Sequence, residues 1–150
     1  MKTTIICDLD GTLADCEHRV HHVRGKPKNW DAFFAGVRND GVNYPVLLLL
    51  DKFTNYGDDW QYNIIFCSGR PERCRADTEW WLREVCDIPD FILLMRKDGD
   101  FRADNIVKQE ILDKHIDKSR VLFVLDDRQQ VVDMWRANGL TCFQVAEGNF

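Results

Sequence analysis

This chain has no apolar stretch of the roughly eighteen residues a membrane-spanning helix needs; its longest run, Val46-Leu47-Leu48-Leu49-Leu50, is far too short. It has no charged leader followed by an apolar segment, because strand character begins almost at Met1, and this predicts an uncleaved, cytoplasmic protein. Six cysteines, at 7, 16, 67, 74, 86 and 142, form no Cys-x-x-Cys pair, and His18, His21 and His22 find no partners to complete a tetrahedral set. A zinc site is therefore not expected, and reduced thiols acting as small hydrophobes are. A Gly-x-x-x-x-Gly-Lys-Ser/Thr loop is also missing, which removes the backbone cradle of nucleotide-driven kinases. Positive charge is in deficit: a net charge of −5 argues against wrapping bulk duplex, where affinity comes mainly from counterion release by Lys and Arg. With 150 residues and 45% hydrophobic content, the chain reads as one soluble domain over 1–150.

What is present begins with Ile5-Ile6-Cys7-Asp8-Leu9-Asp10-Gly11-Thr12, an apolar run followed by two carboxylates two residues apart and a Gly-Thr turn. Both acids lie where the strand runs out, so a turn there can aim them at one bound group, and Gly11 permits the turn without a Cβ penalty. A carboxylate can attack phosphorus to give an acyl-phosphate, provided its charge is shielded from the phosphate dianion. Magnesium supplies such shielding, with carboxylates, a backbone carbonyl, waters and a substrate oxygen as ligands. Asp8 is the expected nucleophile and ligand. Asp10 is the expected acid and base, a role that calls for a pKa above its neighbour's. Read alone, the segment also suits a solvated turn. A calcium loop is excluded, since the Glu wanted at its twelfth position is Arg19 when counted from Asp8.

Three further segments carry matching chemistry. Tyr62 to Cys67 runs into Ser68-Gly69-Arg70-Pro71, where a hydroxyl and backbone N–H groups can hold phosphate oxygens and Arg70 can fork onto them. Val121 to Leu125 ends in Asp126-Asp127-Arg128. One of these acids can ligate the ion and the other orient its surroundings, although capping of the next helix by Asp127 is an equal reading. Lys108, in the helical pattern Asp104 to Ile111, can reach nucleophile and phosphate as a point charge.

Periodicity predicts strands near Thr3–Cys7, Tyr62–Cys67, Phe91–Met95, Val121–Leu125 and Cys142–Val145, with helices between them. One helix opens at Pro45, turns Val46, Leu49, Leu50 and Phe53 inward, and is followed by Gly57; the others cover Cys74–Val85, Asp104–His115 and Gln129–Asn138, the last closed by Gly139. This alternation implies an α/β Rossmann-like three-layer sandwich with a central parallel sheet, and Asp8, Ser68 and Asp126 all fall at the strand ends where such sheets bind ligands. The irregular segment at about 14–42, with Trp30, Phe33 and Phe34, is expected to be a small cap or lid. Trp80 and Trp81 cannot both face the core from one helix. Arg19, Arg24, Lys26 and Lys28, then Arg70, Arg73 and Arg75, then Arg96, Lys97 and Arg102, form basic stretches that can grip a few phosphates of a strand end.

Asp8-Leu9-Asp10-Gly11-Thr12, Ser68-Gly69-Arg70, Lys108 and Asp126-Asp127 resemble, in order, the motifs of the haloacid dehalogenase (HAD) superfamily. Nearly the whole chain is similar to the phosphatase domain of bacteriophage polynucleotide kinase/phosphatase, through Arg19, Arg96 to Lys108, Asp126 to Arg136 and Gln144-Val145-Ala146. The resemblance implies a magnesium-dependent 3′-phosphatase acting on nucleic-acid ends through an aspartyl-phosphate. In that reading Asp8, Asp10 and Lys108 are catalytic. Arg19, Ser68, Gly69, Arg70, Arg96 and Lys108 hold the phosphate, and Asp8, Asp10, Asp126 and Asp127 form the metal site. Two other readings use the same residues: a 5′(3′)-nucleotidase for free mononucleotides, and a non-catalytic module that binds phosphorylated ends. Two acids as close as Asp8 and Asp10 speak against the last, because a phosphate binder gains nothing from added negative charge.

Overall fold

The computed structural model describes residues 2–54 and 62–150. In chain order the elements are β1 (Thr4–Cys7), β2 (Ala14–Asp15), α1 (Glu17–Arg24), α2 (Trp30–Ala35), β3 (Gly41–Val42), α3 (Tyr44–Thr54), β4 (Asn63–Pro71), α4 (Arg75–Trp80), β5 (Ile92–Arg96), α5 (Asp104–His115), β6 (Val121–Asp126), α6 (Gln129–Ala137) and β7 (Cys142–Gln144). Five strands make one parallel sheet, ordered β5-β4-β1-β6-β7. The expected α/β architecture is therefore present, and β1 lies at its centre.

Burial on both faces explains why β1 is apolar at successive positions rather than at alternate ones. Ile5 and Cys7 pack into a cluster with Leu50, Phe66 and Trp81, while Ile6 joins Val124, Val107, Leu112 and Trp135 on the other face. α5 presents Val107, Ile111 and Leu112 to that second face, and α6 presents Val131, Val132 and Trp135. Gly139 ends α6 with φ +79, the left-handed conformation that glycine adopts without strain.

Some boundaries differ from the periodic reading. β4 continues to Pro71, because a register shift after Ser68 lets Pro71 pair with Arg96. The expected helix over Cys74–Val85 is composite: a 3-10 turn at Glu72–Cys74, then α4, then a wide π turn over Trp81–Val85. The wide turn seats Trp81 and Leu82, both fully buried, against the sheet and leaves Trp80 half-exposed under the Arg38 guanidinium, 4.6 Å from its ring. On α3, Val46 and Leu50 are buried and Leu47 and Phe53 pack beside them. Leu49 is exposed, since it falls at the edge of that stripe. Gly57 lies outside the described residues.

Between β1 and α3, the antiparallel pair β2–β3 closes off residues 14–42. Cys16, Val20, Val23 and Phe33 form a small core there, against which Phe150 packs. This insertion stands beside the carboxyl ends of the sheet strands.

Candidate active site

Leaving β1, the chain turns at Gly11, whose φ is +86. A Cβ at Gly11 would lie 2.3 Å from Asp127 Oδ2, so glycine is required for space as well as for conformation. The turn sends Asp8 and Asp10 to different partners. Asp8 is buried and accepts from Thr12 Oγ1 at 3.0 Å and from Lys108 Nζ at 2.7 Å. Lys108, nearly inaccessible on the first turns of α5, also donates to Asp126 Oδ2 at 3.0 Å and lies 3.6 Å from Asp104 Oδ2. At the end of β6, Asp126 accepts from Trp135 Nε1 at 3.1 Å and from the Asp127 N–H at 2.9 Å, so both its oxygens are engaged. Asp127 receives the Thr12 hydroxyl at 3.3 Å on Oδ1, while its buried Oδ2 has no hydrogen-bond partner.

Oxygens of Asp8, Asp126 and Asp127 lie within 4.8 Å of one another. With Asp104, four carboxylates face the cations of Lys108 and Arg96, leaving a surplus of two negative charges. The acid–base balance reflects that surplus. Burial pushes the Asp8 carboxyl well above its ordinary range; Lys108 opposes this, and Asp126, Asp127 and Asp104 add to it. Burial followed by Asp126 raises Asp127 too. Burial disfavours the charged form of Lys108, but Asp104, Asp126 and Asp8 together hold its pKa well above the usual lysine value.

The second acid of the motif belongs to a separate, balanced cluster. Asp10 accepts from Arg19 Nη2 in a short contact and from Arg70 Nη2 at 2.6 Å. Behind it, the fully buried Asp40 carboxylate takes Arg19 Nε and Nη2, both at 2.7 Å, and Arg70 Nη2 at 2.9 Å. Thr78 accepts from Arg70 Nη1 at 3.1 Å, and the Phe33 carbonyl accepts from Arg19 Nη1 at 3.2 Å. Asp40 is anchored in turn by His18 Nε2 at 2.9 Å and, through its carbonyl, by the Trp81 indole N–H at 2.9 Å. Burial would raise the Asp10 pKa, but Arg70 and then Arg19 outweigh it and bring the carboxyl down to about 2.

Several sequence expectations change at this point. The pKa order is reversed: Asp8 is raised and Asp10 lowered, because the two guanidiniums face only the latter. Every guanidinium nitrogen of Arg70, and likewise of Arg19, already has a partner among Asp10, Asp40, Thr78 and the Phe33 carbonyl, so in this structure neither presents an unengaged fork. The Asp10 carboxylate stands with the arginines and apart from the three-carboxylate group. Ser68 is buried and accepts from the Arg70 N–H at 3.1 Å. Gly69 and Arg96 line one cleft with Asp8, Asp10, Asp104 and Asp127. The Gly69 carbonyl accepts from Arg96 Nε at 2.9 Å, and a Cβ there would lie 2.3 Å from Asp104 Oδ1. Of the basic stretches, Arg73, Arg75 and Arg102 are paired with neighbouring acids.

Sequence reasoning missed Asp40, Thr78 and Trp135, and gave Asp104 no role. The four-residue spacing of Asp104 and Lys108 on one helix face was a usable signal for Asp104. Asn39-Asp40-Gly41 reads only as a turn, so nothing in the sequence marked Asp40.

A protein family described as "Polynucleotide kinase PNKP phosphatase domain" matches residues 2–150. A "Putative bifunctional polynucleotide kinase/RNA ligase" of Autographa californica nuclear polyhedrosis virus is 31% identical over 133 residues, 88% of this chain and 17% of that protein. A chain in "Structure of the Pnkp1/Rnl/Hen1 RNA repair complex" superposes with a TM-score of 0.81 at 40% identity, over 98% of this chain and 43% of its own. The chain thus spans less than half the length of these relatives. A haloacid dehalogenase-like hydrolase from Streptococcus pneumoniae shares the fold alone, with a TM-score of 0.64 at 14% identity over 95% of this chain and 84% of its own.

Proposed function

We propose, for a chain that belongs to the polynucleotide kinase phosphatase-domain family of the HAD phosphatases and is by that membership a phosphoric monoester hydrolase, that it removes 3′-phosphates from nucleic-acid ends. The observation that carries the mechanism is the separation of Asp8 and Asp10. One acid sits in a carboxylate cluster with surplus negative charge, and the other sits in an arginine clamp.

The cluster fits a magnesium ion: the donors are hard oxygens, the charge surplus is two, and Asp127 Oδ2 is buried without a partner. Asp8 and Asp127 would hold it, while Asp126 is occupied in orienting Lys108 and Trp135. Bound there, the ion supplies the neutralisation that lets an anionic carboxylate approach a phosphate dianion.

Asp8 attacks phosphorus, the bond to the ribose or deoxyribose 3′-oxygen breaks, and an aspartyl-phosphate forms. Asp10 delivers a proton to the leaving oxygen, then takes one from the water that attacks the aspartyl-phosphate and releases inorganic phosphate. In the free protein Asp10 is ionised. Arrival of the phosphate dianion beside it raises its pKa, so that the carboxylate takes up a proton from solvent before it serves as the acid, and the proton it later takes from water restores that form. Lys108 fixes the attacking carboxylate, and Asp40 fixes both arginines that aim Asp10. Residues 14–42 act as the lid, with Trp30 and Phe34 along one wall of the cleft. Six buried, unpaired cysteines suit a reducing cytoplasm, and among the described residues no helix is long and apolar enough to cross a membrane.

The test is phosphate release, with and without magnesium, from 3′-phosphorylated oligonucleotide, 5′-phosphorylated oligonucleotide and 3′- and 5′-mononucleotides, with Asp8→Asn as the blank. Preference for the 3′-phosphorylated strand is expected. Preference for mononucleotides would make the protein a nucleotidase, and no release from any substrate would leave only phosphate-end binding.

A further inference from the structure

Phe101 is 92% exposed, the most exposed of the large apolar side chains among the described residues, and it lines the same cleft as Asp8 and Asp10. An aromatic ring left in water beside a reaction centre has no packing role. Nor is its position an accident of a loose loop. Arg96 Nη1 takes the carbonyls on either side of it, Asp100 O at 3.0 Å and Arg102 O at 2.6 Å, while Arg96 Nε ties the same guanidinium to Gly69 O. Arg102 is locked to Asp100 at 2.7 Å and to Glu110 at 2.8 Å. The loop therefore presents Phe101 from a fixed backbone anchored to the turn at Gly69.

A second aromatic enters from the other insertion. Trp30 is 39% exposed, lines the same cleft, and is backed by the stacked ring of Phe34 at 5.9 Å. Cations accompany both rings. Lys28 Nζ lies 5.4 Å from the Trp30 ring, and Lys97, two peptide units before Gly99 on the Phe101 loop, is exposed with no ion-pair partner among the described residues. Exposed aromatic faces interleaved with free cations suit an unpaired base and its backbone phosphates, since any base offers a stacking face and the chain offers negative charge.

We propose that Phe101 stacks on the terminal base of a single-stranded 3′-phosphorylated end, so that the cleft selects a strand end carrying a base over a bare sugar phosphate. This rests on the 3′-phosphatase reading above. The experiment compares wild type and Phe101→Ala on two oligonucleotides of equal length, both 3′-phosphorylated, one with a normal terminal nucleoside and one with an abasic terminal sugar. Because Phe101 buries almost nothing, the variant should melt with the wild type, which removes misfolding as an explanation.

Wild type is expected to favour the base-bearing end by about tenfold in kcat/KM, expressed in KM, the low end of what one base–aromatic stack contributes. Phe101→Ala is expected to lose that preference while its rate on the abasic end stays at the wild-type value, and Phe101→Trp is expected to keep it. If wild type hydrolyses the 3′-phosphorylated strand and Phe101→Ala retains the full preference, the stacking role is wrong and the exposed ring is left for contact with another protein. If wild type ignores both oligonucleotides and hydrolyses mononucleotides, the 3′-phosphatase reading itself fails, and this inference fails with it.

Discussion

Asp40→Asn changes one charge and almost no volume, at the place where the Arg19 and Arg70 guanidiniums meet. Both arginine side chains and the acid are at most 2% exposed, so water cannot compensate for the lost charge. An asparagine can accept from one guanidinium through its carbonyl oxygen, but its NH2 group then faces the donors of the other. Removing one partner of a buried ion pair while leaving the other costs about 3–5 kcal/mol. For a domain of this size each kcal/mol moves the melting temperature by about 2–4 °C, so Asp40→Asn should melt on the order of 10 °C below wild type. Urea unfolding should show a lower midpoint with an unchanged slope, the signature of lost stability without a change in the surface exposed. The matched control is Asp77→Asn, which breaks the 2.7 Å pair with Arg38 on the surface, where both side chains are about half exposed. That pair is worth roughly 0–1 kcal/mol, and its loss should shift melting by no more than a few degrees. If the two variants melt together near wild type, Asp40 does not hold the clamp, and the account of how Asp10 is aimed must be abandoned.

Other consequences are open to measurement. Magnesium should raise the melting temperature and a chelator should reverse the rise, by about 2.7 kcal/mol at one hundred times the dissociation constant; Asp127→Asn should abolish the shift, and Asp40→Asn should leave it in place on a lower baseline. All six cysteines are buried, and burial pushes the thiols of Cys16, Cys86 and Cys142 up to about 12, so a disulfide reagent at pH 8 should react with native protein only slowly and titrate six thiols in denaturant. Since these folded values lie above the ordinary thiol value of 9.0, the neutral thiols' contribution to stability is complete below pH 9 and is lost as pH rises toward 12, so alkaline melting curves should fall in that window. Prompt labelling of the native protein at pH 8 would contradict this.

The inner strands were legible because a parallel strand covered on both faces is apolar at successive positions, so β1, β4 and β6 each announce themselves as a short apolar run that ends in Asp or Ser. Helix α5 was legible to its ends for a related reason, with Val107, Ile111 and Leu112 at helical spacing. What the pattern did not carry was the departure from a regular period over Trp81–Val85, where seating two consecutive side chains outweighed the ordinary helical register. At the site, runs of consecutive residues marked the cluster, and the fold brings Asp8, Lys108 and Asp126 together from three separate motifs. Asp40 gave no such signal. Its meaning depends on Arg19 and Arg70, distant in sequence and brought to it only by the fold, within a segment with no periodicity.

The arginines show most clearly why residue type and position are not enough. A guanidinium forks onto a carboxylate as readily as onto a phosphate, so motif spacing predicts that Arg19 and Arg70 sit at the site but not which anion they hold. The fold decides by placing Asp40 behind Asp10, which gives two cations two acids and leaves no charge over. The neighbouring cluster is built oppositely, with Asp8, Asp104, Asp126 and Asp127 outnumbering Lys108 and Arg96. Were the charge spread evenly, both acids of the Asp-x-Asp pair would titrate alike and attract a cation alike. Segregation instead raises the pKa of one carboxylate and lowers that of the other, although only Leu9 separates them.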